Sequence, residues 1–491
     1  MNVPHPSRDA ASERSGARRT TLVRAVSFKN YVSIGLGAMI GMGWVVYTGE
    51  WLSSGGPLGA VLGFVIGGLL LIPVGQVYAE LTPAIPVAGG EMAFSYKAFG
   101  SKLAFVSAWL LAFGYIIICP FETAAIGLLL KHVVPALETR ALYEVSGYAV
   151  SVSTILPGLL IGVLVTALNY LGIRSSARFQ MILTGAMLLC VLAFTAVALV
   201  NGDLSHLAPL FATGDGSWLA VGLALLSVVV VVPFWMSGFD AIPQAAEESD
   251  ARVKPRQLGT AVIVSMVMGV GFYVAVILAV AVSMPWREAT ALEMPTSQVF
   301  EAAFGYSWAA KLVLIAAMLG LVTSLNGFFL AATRVVFSAG RGGLLPRWFG
   351  RVHGRFGTPK NAVLFVGALS LVGAFLGKPA LGPIVHAGSF AFVSVWFVAC
   401  LSAIRLRRTA PDLKRPYRVG HRATLWIGAA VSLTLTLFFV VPGSPEVLAW
   451  PHEVGIVVGW LLLGLVFYLW RRRRDDMNDA ERAEQILGDY R

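Results

Sequence analysis

Residues 35–44 read Gly35-Leu36-Gly37-Ala38-Met39-Ile40-Gly41-Met42-Gly43-Trp44, and residues 233–243 read Pro233-Phe234-Trp235-Met236-Ser237-Gly238-Phe239-Asp240-Ala241-Ile242-Pro243. Each stretch lies inside a long apolar run and gathers helix breakers: four glycines in the first, two prolines and a glycine in the second. Proline removes a backbone donor, and a glycine costs a helix about 1 kcal/mol relative to alanine. In hydrocarbon, every peptide group left unpaired by such a break costs several kcal/mol, so a broken span has to face a cavity within protein. Half-helix N-termini then offer amides to an anion and half-helix C-termini offer carbonyls to a cation, which together suit a zwitterion. Helix packing is the competing reading, since Gly37 and Gly41 also form a GxxxG pattern, as do Gly63 and Gly67 in the next run.

Apolar runs of spanning length recur on both sides of these stretches, from near Tyr31 to near Trp470. Of the 491 residues, 57% are hydrophobic and only 13% charged, about half the charge of an ordinary soluble domain. The expected spans are 30–53, 57–80, 103–131, 147–170, 179–201, 217–248, 258–284, 308–338, 360–377, 382–405, 423–442 and 453–471. The fold class is therefore an all-α polytopic membrane protein with about twelve transmembrane helices. Between the second and third spans, Thr82 to Gly100 is expected to be a helix-loop on the membrane surface, and Trp286 to Ser307 a partly helical lid.

The net charge of +11 follows loop parity and is not gathered into a nucleic-acid-binding patch. Arg14, Arg19, Arg24 and Lys29 precede the first span, and Lys97, Arg174, Arg178, Arg252, Arg256, Arg347, Lys360, Arg407, Arg415 and Arg471 to Arg474 fall in every second loop. The intervening loops carry few, such as Lys131, Arg140, Arg287 and Lys378. By the positive-inside rule both termini are cytoplasmic, in a multi-pass protein of the cytoplasmic membrane. The first 28 residues lack an apolar core for a cleaved signal and read as a disordered cytoplasmic tail.

Five spans separate the start of the first broken helix from that of the second, an odd offset that inverts one half relative to the other. The organisation is thus 1–28, tail; 29–201, first inverted repeat; 217–405, second inverted repeat; 423–471, two further helices; 472–491, a cytoplasmic tail. Enzymatic chemistry has no foothold: there is no HExxH or GxSxG, the seven histidines are scattered, and Cys119, Cys190 and Cys400 sit inside spans without metal or disulfide spacing. A sensing receptor would be expected to add a signalling domain, for which the final segment is too short.

Separated motifs in a fixed order extend the case. They are Gly35 through Gly43; Gly56-Pro57; Tyr78-Ala79-Glu80-Leu81 through Pro86 to Gly90; Gly238-Phe239-Asp240-Ala241 with Ala246-Glu247-Glu248; Arg334 through Gly343 to Pro346; Val352-His353 with Gly357-Thr358-Pro359; and Pro411 through Pro416-Tyr417-Arg418. Through these the chain resembles the amino acid-polyamine-organocation permeases. The resemblance implies two inverted five-helix repeats plus two helices, with alternating access to a central site. It further implies that amides of Gly41, Met42 and Gly43 hold a substrate carboxylate and that carbonyls of Phe234, Trp235 and Ser237, beside Gly238, hold its amino group. Phe234 or Trp235 would act as a gate.

The chain departs from the family pattern in the third span. Where many relatives have a glutamate before the tyrosine, it has Gly114 before Tyr115, and it carries Glu122 about two turns further on and so on nearly the same face. An ionisable group within a span is a functional candidate, here for a substrate ammonium or a proton, with a neutral buried carboxyl as the alternative. The fifth-span lysine of some proton-coupled relatives is missing from Leu183 to Met187. Thr323 and Ser324 offer hydroxyls for an oxygen-only sodium site, or bond back to their own helix. No cofactor is expected beyond a coupling proton or sodium ion.

Lesser expectations are that Glu247 and Glu248 pair with Arg334 or Lys360 as an inner gate, that Asp240 caps the second half of its helix, and that His386 is structural. The function expected is a secondary active transporter of amino acids, proton- or sodium-coupled. The alternative is a permease or exchanger of polyamines or other organic amines.

Overall fold

The computed structural model describes residues 19–134, 139–145, 148–213, 217–376, 378–444, 446–474 and 477–490. Residues 1–18 of the expected tail lie outside them. Helix α1 (Phe28–Met39) opens on a reciprocal cap, in which the Ser27 hydroxyl accepts from the Asn30 amide and the Asn30 side chain accepts from the Ser27 amide. It ends at Ile40, and a single turn, α2 (Gly43–Val46), follows the break. Helix α3 (Thr48–Ala84) then runs on, kinked at Gly56, whose φ of +70° and contact with the Phe211 backbone exclude any side chain.

Helix α4 (Gly90–Phe99) leads into α5 (Ser101–Val133), and a hairpin of β1 (Ala141–Val145) and β2 (Tyr148–Ser151) precedes α6 (Val152–Leu171) and α7 (Ile173–Asn201). That hairpin moves the start of the fourth span later than the apolar run indicates. The sixth run is interrupted as expected: α8 (Trp218–Val229), the turn α9 (Val232–Trp235), then α10 (Ala241–Gln244). Next come α11 (Pro255–Ser283), the short helices α12 (Trp286–Ala289) and α13 (Pro295–Phe304), and α14 (Ser307–Arg341). The chain closes with α15 (Lys360–Val372), α16 (Lys378–Thr409), α17 (Arg422–Phe438), α18 (His452–Arg474) and α19 (Asp479–Leu487).

Among the described residues, nine helices are long and apolar enough to cross a membrane, and Lys360–Phe375 and Arg422–Phe438 are shorter apolar helices. The core is built from α5 and α14, which are the most enclosed of the nine, while α18 is largely exposed. Small residues allow the close crossings: a Cβ on Gly63 or Gly67 would meet Val228 or Val232 at 2.5–2.7 Å, so this pair packs α3 against the sixth run.

Three expectations change. Helix α4 is not a surface-lying helix; Glu91, Met92, Ala93, Phe94 and Ser95 are fully buried against the bundle. Residues 19–27 are not disordered: the amides of Ala25 and Val26 donate to the Glu248 carbonyl at 2.8 and 2.9 Å, and Val26 bridges Ser249. Glu248 pairs as foreseen with Arg334, but Glu247 pairs instead with Arg341 and Arg19, and Lys360 takes no part among the described residues. Arg334 clasps Glu248 with two 2.9 Å bonds, both side chains being at most 1% exposed, and Arg341 clasps Glu247 at 2.7 and 2.8 Å. Removing one member of a buried pair strands the other charge, so Arg334→Ala is expected to cost about 3–5 kcal/mol, read as lowered thermal stability of the purified protein, with Arg334→Ala/Glu248→Ala recovering part of it.

Candidate functional site

The two broken runs cross each other. Gly238 holds φ at +129°, and a Cβ there would lie 2.6 Å from the Met39 nitrogen and 2.9 Å from the Ala38 carbonyl carbon; only a glycine lets the two backbones meet. Beside this crossing lies a cavity of about 1010 Å³. It is lined by Gly41, Met42 and Gly43 of the first break, Phe234, Trp235 and Ser237 of the second, and Glu122 and Ser324 from α5 and α14. Phe121, Phe328, Phe392 and Trp396 make most of the remaining wall apolar, and Glu50, Glu293 and Glu446 line its mouth. The mouth therefore sits at the end whose loops carry few basic groups.

The first break presents donors. Among the described residues, the amides of Gly41 and Met42 meet no acceptor, whereas Ile40 donates to Leu36 and Val45 to Met42. Glu122, 3% exposed, is aimed at this break: a Cβ on Gly41 would be 3.2 Å from its Oε1. The same Oε1 accepts from the Ser324 hydroxyl at 2.5 Å, and Oε2 has no partner among the described residues. No lysine or arginine pairs with it there. A carboxylate this deep requires a cation beside it or a proton on it, because an isolated buried charge is prohibitively costly.

The second break is more self-satisfied than its role in the resemblance implies. The Phe234 carbonyl accepts from the Ser237 hydroxyl at 2.7 Å, and the Trp235 carbonyl accepts from the Tyr273 hydroxyl at 3.2 Å. Trp235 lays its ring on Gly43, where a Cβ would lie 1.9 Å from it, and packs edge-on or tilted against Tyr47, Trp51 and Phe234. Of the two gate candidates, Trp235 is thus the one that covers the first break.

Three sequence-derived site residues do not face the cavity. Tyr115 is buried and donates to the Asp240 carbonyl at 3.0 Å; Gly238 is spent on the backbone crossing; Thr323 bonds back to Gly320 at 3.0 Å. Asp240 does not cap its own helix. Its carboxylate accepts from the Gly238 amide at 3.0 Å and from the Trp396 indole at 3.1 Å, fastening the break to α16. His386 sits between Glu453 at 2.6 Å and Glu446 at 3.3 Å.

Beside the Thr323 and Ser324 hydroxyls, the Thr323 backbone carbonyl belongs to a polar network. Gln180 Nε2 donates to the carbonyls of Thr323 at 2.9 Å and Ser33 at 3.3 Å, while its Oε1 accepts from Asn326 at 2.8 Å. Asn326 in turn accepts from Asn169 at 2.8 Å and Ser176 at 3.0 Å. This buried network joins α1, α6, α7 and α14 without a charge. Sequence reasoning missed Gln180, Trp396, Phe392 and Tyr273. Gln180 lies one turn before the stretch searched for a lysine, and an aromatic residue facing a cavity has the same composition as one facing lipid.

The fold is that of a multi-pass membrane protein with an internal, mostly apolar cavity between two interrupted helices. Residues 26–467 match the family described as amino acid permease, and the chain belongs to that family, within the amino acid-polyamine-organocation permeases. It is a transporter and not an enzyme. It is similar to the branched-chain amino acid permease of Bacillus subtilis (strain 168), 29% identical over 96% of this chain and 97% of that protein. It is also similar to that organism's methylthioribose transporter, at 26% over 94% and 96% of the two chains, and to its aspartate-proton symporter, at 23% over 94% and 86%.

Proposed function

We propose that this permease takes up amino acids with apolar side chains across the cytoplasmic membrane by proton-coupled alternating access. It does so through about twelve spans arranged as two inverted five-helix repeats plus two, with the basic loops and both termini in the cytoplasm. One observation carries the reading: two unpaired amides and an uncompensated carboxyl, Gly41, Met42 and Glu122, converge at one wall of an otherwise apolar cavity. The amides suit the substrate carboxylate, while Phe234, Phe328 and Phe392 suit its side chain. Glu122 meets the ammonium or carries the proton, with Ser324 as its hydrogen-bond donor.

Proton rather than sodium is favoured by Gln180, whose amide hydrogens already engage the Ser33 and Thr323 carbonyls. A cation that took these two carbonyls as ligands would have to displace that amide. Exchange of all sodium for choline at constant pH is expected to leave the initial uptake rate unchanged; dependence on sodium would overturn the assignment. The broader test is uptake by proteoliposomes of individual amino acids and amines under separately imposed proton and sodium gradients.

The second reading, an organic amine permease, is favoured by the acidic mouth of Glu50, Glu293 and Glu446. A carboxylate-free amine that outcompetes leucine for uptake would select it.

A further inference from the structure

At the basic end of the bundle, the last helix packs beside the buried ion pairs of Glu247 and Glu248. Helix α19 begins on a cap in which the Asn478 side chain accepts from the Glu481 amide at 2.8 Å, and it turns one face inward: Arg482, Ile486 and Leu487 are at most 3% exposed. Arg482 donates to the Gly342 carbonyl, just past α14, at 3.0 Å and to its own Met477 carbonyl at 3.0 Å. Ile486 presses on Gly342, where any Cβ would come within 2.4 Å of it. On its other flank, Lys97 of α4 donates to the Tyr490 carbonyl at 2.8 Å.

The same helix reaches the gate itself. Arg19 bonds the Gln485 carbonyl at 3.3 Å and Glu247 at 3.1 Å. Glu247 is also held by Arg341, which donates in addition to the Thr20 carbonyl at 2.8 Å. Helix α19 therefore fastens together α4, from the first half of the chain, the end of α14, from the second half, and the segment preceding α1. An opening towards this end that parts α14 from the turn bearing Glu247 and Glu248 would have to separate Arg341 from Glu247 and Arg334 from Glu248, and the contacts of α19 would resist that separation.

We propose that α19 is an intramolecular latch that holds the basic end closed, slowing the transition that exposes the cavity there. The proposal rests on alternating access only for its consequence for transport, so its test reads opening without any substrate. Ser338 is buried on α14, one turn from both Arg334 and Arg341. In a protein with the three native cysteines replaced by alanine, Ser338→Cys reports opening by its alkylation rate. Chain termination after Arg474, or Ile486→Asp in the full chain, is expected to raise that rate about tenfold, the equivalent of ~1.4 kcal/mol. A peptide of residues 477–490 added to the truncated protein is expected to lower it again. A rate unchanged within twofold in both variants would overturn the latch, and so would a rise that the peptide fails to reverse, because that rise would report general loosening. Failure of transport alone would leave the alkylation result standing.

Discussion

Glu122→Gln is expected to reduce proton-driven uptake to the background of empty liposomes while sparing exchange of internal for external substrate. Glutamine keeps the volume of the side chain, and its carbonyl oxygen can still accept from the Ser324 hydroxyl that bonds Glu122 Oε1 at 2.5 Å. The exchange of a carboxyl for an amide removes the ability to bind and release a proton and the ability to carry a negative charge. Exchange, which needs the substrate site but no net proton movement, should persist within about a factor of three, under ~0.7 kcal/mol. Paired measurements on one batch of proteoliposomes separate the outcomes. Loss of both activities would place Glu122 on the substrate ammonium itself, and retention of both would remove it from the mechanism.

Gly238→Ala is expected to abolish uptake and to lower thermal stability. The new methyl group would lie 2.6 Å from the Met39 nitrogen, a backbone atom that no rotamer change can move, at a φ of +129° that alanine rarely adopts. Backbone strain and overpacking together amount to about 2–6 kcal/mol. Relief can come only from parting the two broken helices, which dismantles the cavity wall formed by Gly41 and Ser237. Gly185→Ala is the matched control, since a Cβ there meets nothing within 4 Å, and it should behave as the parent protein in both uptake and melting. Equal behaviour of the two variants would mean that the crossing is not needed for transport.

The two breaks were legible because Gly41, Pro233 and Gly238 state their conformational preferences locally, one residue at a time. Glu122 was legible for a related reason: a carboxyl within a long apolar run is conspicuous in any arrangement. Ser324 and Thr323 show where that kind of reading stops. Adjacent hydroxyls on one helix point about 100° apart, so one meets Glu122 and the other turns back to Gly320. Gln180 was illegible because its importance lies in partners from α1 and α14, far away in the chain. The expected cytoplasmic tail carries a helix whose buried face, Arg482, Ile486 and Leu487, recurs at helical spacing in the sequence.

The uncharged network around Gln180 bears on the electrical behaviour of the cycle. With Gln180 engaging the Ser33 and Thr323 carbonyls, the proposed coupling to one proton would make each turnover of a zwitterionic solute carry a single elementary charge inward. A membrane potential of 100 mV would then add about 2.3 kcal/mol per turnover, enough to concentrate the solute roughly fifty-fold with no difference in pH. Voltage alone would drive accumulation.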